Sequence, residues 1–107
     1  MEKGLFSIPL YSKNTPLDQI TDEITQQVID SEKWGVKEAF FGEHISDRHE
    51  KITSSLLMAA TMSKLTKKIK LGTLTTNLNF NNPAISASLI AMVDNLSKGR
   101  LMLGIGS

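Results

Sequence analysis

The chain contains no cysteine. That excludes disulfides and thiolate chemistry, and it fits a reducing cytoplasm. Long hydrophobic runs are missing too: none approaches the ~20 residues of a membrane helix. The N-terminus lacks a basic segment followed by an extended apolar core, so no signal peptide is expected. Neither sign of charge is in excess. Twelve Lys and Arg stand against 11 Asp and Glu, which argues against a nucleic-acid footprint. The local run Lys64, Lys67, Lys68 and Lys70 reads as a solvated helix end that complements the helix dipole. No histidines are paired at metal-ligand spacing. No serine sits in a nucleophile elbow. The dinucleotide fingerprint is absent after the first strand.

What is present fits one domain with one core, given 107 residues. The stretch Glu38 to His44 (Glu-Ala-Phe-Phe-Gly-Glu-His) organises it. It begins as an apolar run of buried-strand type and ends in two adjacent ionisable side chains. Parallel α/β proteins place their chemistry at the C-terminal ends of such strands. Strand alternation sends Gly42 and His44 to one face and Glu43 to the other. The two groups are therefore not expected to form one dyad. One faces a pocket and the other faces packing or a neighbouring strand, and periodicity leaves open which. His44 as a hydrogen-bonded loop histidine and Glu43 as a solvated strand end also fit the spacing.

Before this stretch, Leu5 to Tyr11 is strand-like, with Pro9 suited to an edge position or the strand's last residues. Ser12 to Thr15 is a polar turn. Thr15 as N-cap and Pro16 as first residue predict a helix, with Leu17, Ile20, Ile24 and Val28 on its apolar face. Trp34 ends that face and Gly35 caps it. After His44, the polar segment Ile45 to Thr53 reads as a loop carrying Asp47, Arg48, His49, Glu50 and Lys51, with His49 exposed. Ser54 or Ser55 caps a second helix carrying Met58, Met62, Leu65 and Ile69, which ends near Lys67 or Lys68. Methionine here is core filler. Ile69 to Asn77 is a third strand, and Leu78 to Asn82 an asparagine-rich loop. Asn82-Pro83 starts a third helix with Ile85, Leu89, Met92 and Leu96 on one face. Ser97-Lys98-Gly99 closes it, and Arg100 to Ser107 forms a fourth strand.

The strands thus begin near Leu5, Glu38, Ile69 and Leu101, at intervals of 31 to 33 residues. Each interval holds one strand and one amphipathic helix. This α/β alternation predicts parallel strands joined by helical crossovers. An open doubly wound sheet and the start of an eight-stranded barrel both fit. In either, Glu43, His44, Thr75, Thr76, Asn77, Gly104, Gly106 and Ser107 gather at one end of the sheet. Gly104-Ile105-Gly106-Ser107 offers room for a phosphate or a flat ring, or simply for packing.

Taken together, several ordered motifs resemble the luciferase-like flavin-dependent monooxygenases. They are Trp34-Gly35 leading into Phe41-Gly42-Glu43-His44, Ile69-Lys70-Leu71-Gly72-Thr73, Asn82-Pro83, and Leu96-Ser97-Lys98-Gly99-Arg100 with Gly104-Ile105-Gly106. The resemblance covers nearly the whole chain. It implies parallel (β/α) units from the N-terminal half of a TIM (β/α)8 barrel, here with four strands and three helices. It implies reduced FMN, or a deazaflavin in some branches, and oxidation of a small organic substrate with oxygen. A flavin reductase is an expected partner; nucleic acid and membrane are not.

By the same resemblance, His44 is the catalytic acid–base group and Glu43 a supporting carboxylate. Leu74, Thr75, Thr76, Gly106 and Ser107 are the flavin-side contacts, with a cis peptide at Leu74-Thr75. Ser107 stands where some members have arginine, so no phosphate ion pair forms there. Ile45 and Asn82 replace histidines common in the family. Such a barrel needs ~250 residues. The chain is therefore read as one truncated half-barrel domain, completed through its strand edges as a homo-oligomer, or else a non-catalytic fragment or subunit.

Overall fold

The computed structural model describes residues 1–8 and 10–107. Pro9, assigned above to an edge position or the end of the first strand, lies outside the described residues. The elements are β1 (Gly4–Ser7), α1 (Leu17–Lys33), β2 (Glu38–Phe41), α2 (Ser55–Leu65), β3 (Lys70–Asn77), α3 (Pro83–Leu96) and β4 (Leu101–Gly106). A single 3-10 turn, Leu78–Phe80, links β3 to α3. The strands lie in the order β1-β2-β3-β4, and each neighbouring pair is parallel. That order decides between the two architectures. A doubly wound sheet reverses its order at a switch point, whereas consecutive barrel units pair sequentially.

Register explains which side chains meet. Leu5, Ala39, Leu71 and Leu101 form one row across the sheet. With Phe41 they pack against Ile20, Ile24 and Val28 of α1, Met58 and Met62 of α2, and Val93 of α3. The alternate row, Phe6, Phe40, Gly72 and Met102, points to the other face. There the Phe40 ring fills the space above Gly72, where an added Cβ would lie 2.3 Å from it.

Local chemistry sets the helix ends. Ser54 caps α2 by accepting the Leu57 N–H, and Asn82 caps α3 by accepting the Ala84 N–H at 2.9 Å. Gly35 (φ +82°) follows α1 and Gly99 (φ +78°) follows α3, both in the left-handed region. Other expectations fail. Thr15 does not cap α1; Pro16 takes that place with no side-chain capping bond. Thr15 instead closes a turn on Ser12, and Asp18 accepts the Gln19 N–H in the first helical turn. The first strand stops at Ser7, and Tyr11 lies in a loop that donates its N–H to the His49 carbonyl. Helix α2 ends at Leu65 because Thr66 turns extended, its hydroxyl bonding the Met62 carbonyl. Ile69 is buried as the lead into β3, not as a helical residue. Trp34, at the C-cap of α1, is 78% exposed rather than closing the apolar face. The apolar stripe of α3 is also open: Ile85 is 60% and Met92 59% exposed, while Ser86 and Val93 are buried.

Two side chains tie the lower ends of the strands. Arg100 donates to the carbonyls of Ser63, Thr66, Ile69 and Ser97 and to the Thr66 hydroxyl, a use of the planar fork that lysine cannot reproduce. Glu32 accepts the N–H groups of Lys67, Lys68 and Ile69 at 2.7 to 3.0 Å. Burial works against its ionisation, but these donors, helped by Arg100, outweigh it and hold the carboxyl below its ordinary range. The unfolded chain then takes up this proton first as pH falls, so the stability that Glu32 contributes is present near neutrality and is lost in acid. Glu32→Gln is therefore expected to flatten the fall of the urea midpoint below about pH 5. Equal acid slopes in the two proteins would overturn this role.

Candidate functional site

Beyond Phe41 the chain leaves the ladder, and Glu43 and His44 take different partners. Glu43 Oε2 accepts the Ser55 N–H at 2.9 Å and the Ser55 hydroxyl at 2.7 Å. Its Oε1 accepts the Asn77 N–H at 2.7 Å. Ser55 opens α2, so the carboxylate also sits at the favourable end of that helix dipole. His44 turns to the following loop, where Nε2 pairs with the Glu50 carboxylate and its N–H bonds the Ile52 carbonyl at 2.8 Å. The two adjacent groups share no hydrogen bond among the described residues.

The loop is itself anchored. Asp47 accepts the N–H groups of Glu50 and His49, and these bonds hold its carboxyl below the ordinary range, with attraction from the two histidines adding to them. His49 is exposed, yet its Nδ1 meets the Tyr11 carbonyl at 2.8 Å. Lys51 Nζ donates to the carbonyls of Lys13 and Thr15.

On the other side, the Leu74–Thr75 peptide is cis, within a register shift between Thr73 and Thr76. Thr75 packs closely over Gly106, where a Cβ would stand 2.3 Å from its hydroxyl. An open cleft of about 460 Å³ joins these parts. Glu43, His44, Leu74, Thr75, Asn77 and Ser107 line it, flanked by Ile45 and Phe80. Two expected contacts lie elsewhere. Thr76 is buried, its hydroxyl 3.2 Å from that of Ser55, and Gly106 lies beneath Thr75. No Lys or Arg belongs to the lining among the described residues. A larger cleft of about 570 Å³, with Lys64, Lys67, Lys98 and Arg100, lies by the N-terminal ends of β3 and β4, away from this chemistry. Sequence reasoning missed Ser55 and Glu50 as partners of Glu43 and His44. Only Ser55 carried a signal, as a candidate cap.

Residues 4–107 match the family model for luciferase-like monooxygenases. The chain belongs to that family. It is 36% identical over 76 residues to 4-hydroxyprotoasukamycin monooxygenase of Streptomyces nodosus subsp. asukaensis, covering 71% of this chain and 20% of that protein. Among solved structures it is similar to the oxygenating constituent of 3,6-diketocamphane monooxygenase from Pseudomonas putida, a type II Baeyer–Villiger monooxygenase in complex with FMN. The TM-score is 0.94 at 28% identity, over 99% of this chain and 29% of that one. It is also similar to the coenzyme F420-dependent tetrahydromethanopterin reductase of Methanopyrus kandleri, with a TM-score of 0.75 at 27% identity, over 98% of this chain and 26% of that one. The chain thus spans less than a third of the length of each of these luciferase-like relatives. No helix among the described residues is long and apolar enough to cross a membrane.

Glu43→Ala strands the Ser55 and Asn77 N–H donors. A loss of about 2–4 kcal/mol is expected, read as a lower urea midpoint with faster amide exchange at both residues. Unchanged exchange there would remove Glu43 from this role.

Proposed function

We propose that this chain supplies the acid–base and ring-contacting part of a flavin-dependent monooxygenase that uses oxygen to oxidise a small organic substrate. The observation that carries the reading is the convergence of His44, Leu74, Thr75 and Ser107 on one cleft. Its size falls in the range of small-molecule sites. Its groups suit a flat ring: Leu74, Ile45 and Phe80 offer apolar surface, and Thr75 and Ser107 offer hydroxyls. Without a cationic lining residue, they suit the ring rather than a phosphate.

When bound, reduced flavin supplies the electrons and the activation of oxygen. The protein's part is to hold the ring against Leu74 and Thr75 and to move a proton at the His44 imidazole. Glu43 supports the site as a positioning group, and Thr76 and Gly106 sit behind the contacts rather than in the cleft. FMN in the Pseudomonas putida neighbour favours FMN, and the F420-dependent neighbour keeps a deazaflavin as the alternative. A flavin reductase would deliver the reduced cofactor.

Anaerobic equilibrium dialysis with reduced FMN and with a deazaflavin tests this. Saturable binding of one of them is expected, weakened at least ~10-fold by His44→Ala combined with Thr75→Gly, a loss of roughly 1.4 kcal/mol. Binding of neither, or binding indifferent to both substitutions, would overturn the reading.

A second reading concerns assembly. The exposed stripe of Ile85, Leu89 and Met92, with Leu103 and Ile105 on edge strand β4, favours a chain that covers these surfaces with another copy. Such a homo-oligomer could also be a non-catalytic subunit. Sedimentation at micromolar concentration is expected to show a dimer or larger species, whose dissociation is promoted by Leu89→Glu. A folded monomer would count against it.

A further inference from the structure

We propose that Glu50 is a positioning residue for His44: it fixes the Nε2–H tautomer and so makes Nδ1 the proton-accepting atom. The proposal rests on the acid–base reading of His44 given above and adds an assignment to it. Adjacency in sequence suggests Glu43 as the partner carboxylate, but all three donors to Glu43 come from Ser55 and Asn77. Glu50 is the carboxylate that meets the imidazole, at Nε2.

An ionised carboxylate only accepts hydrogen bonds. Nε2 must therefore carry the proton, and in the neutral ring Nδ1 is left with the free lone pair. The pair is held from both sides. The Asp47 carboxylate takes the Glu50 N–H at 2.9 Å, and the His44 N–H reaches the Ile52 carbonyl at 2.8 Å. Ile8, Gly42 and Ile52 crowd the same spot, and the Glu50 side chain is only 22% exposed. Apolar neighbours on that side strengthen a charge-assisted bond.

His49 provides an internal control. Its Nδ1 faces the Tyr11 carbonyl, another pure acceptor, so it carries its proton on Nδ1. The chain's two histidines should therefore show opposite tautomers.

Nitrogen-15 NMR of the histidine-labelled chain at about pH 9, above the ordinary imidazole range, reads both rings without any flavin. The wild type is expected to give an unprotonated Nδ1 at His44 and a protonated Nδ1 at His49. Glu50→Ala should draw the two His44 nitrogen shifts together, as the tautomers mix, and leave His49 in place. If Glu50→Ala also moves His49, the loop has loosened. Glu50→Met then keeps the side-chain volume without an acceptor, and the same change is expected at His44 alone. A His44 tautomer unchanged in both variants, or a protonated Nδ1 at His44 in the wild type, would overturn the proposal. Failure of the flavin reading looks different: the tautomer pattern and its Glu50 dependence would stand while neither cofactor binds.

Discussion

The Glu43 carboxylate is the constraint on which the upper end of this sheet depends. From the residue pair that follows β2, it reaches the first residue of α2 and the last residue of β3. Three donors converge on two oxygens, each bond charge-assisted and partly shielded from water. Without that acceptor, the N-terminus of α2 and the end of β3 would have buried N–H groups and nothing to fix their distance. Glu43 and Asn77 both line the cleft, so the placement of this wall follows from the reach of one side chain. A shorter aspartate would have to pull α2 towards the strand or give up one of the donors.

The opposite end of the sheet is fixed by the same physics with other residues. Arg100 gathers carbonyls from the turns after α2 and α3, and Glu32 gathers amides from the segment leading into β3. Carbonyl-rich and amide-rich turns each receive a side chain of complementary charge. Together with the burial of Ile69, such bonds set where β3 and β4 begin. Register then carries that placement along β3 and β4 as far as Thr73 and Leu103, where it shifts before Thr76 pairs with Ile105. The two ends are coupled through the ladder, and the helix-facing row Ala39, Leu71 and Leu101 locks the strands laterally.

How much of this can be read from residues alone depends on the range of the interaction. Ser54, Asn82, Gly35 and Gly99 act within a few residues of themselves, so their roles are visible in sequence. The strand positions follow from β-branched and apolar runs at a regular interval. The choice of barrel over doubly wound sheet does not, because both share that interval and differ only in strand order. Motif resemblance supplied it. Trp34 and the α3 stripe mislead for one reason: helical spacing identifies an apolar face but not whether the chain contains anything to cover it. Glu50 is hidden because it lies in a polar loop with no periodicity, six residues from the histidine it meets. The Asp47 turn, the His44–Ile52 backbone bond and the ties to Tyr11, Lys13 and Thr15 bend that loop back.

The two carboxylates take separate partners. The oxygens of Glu43 are taken up by donors from Ser55 and Asn77, whereas Glu50 meets one nitrogen of the His44 ring. Placing both carboxylates on the imidazole would leave α2 and β3 unsecured, and placing both on the backbone would leave the ring to rotate. The partners keep the two apart: Glu43 meets the start of α2 and the end of β3, and His44 meets the loop that follows it. The dipeptide Glu43-His44 thus places a backbone anchor and an imidazole at neighbouring positions of one cleft, and the carboxylate that meets the imidazole is Glu50.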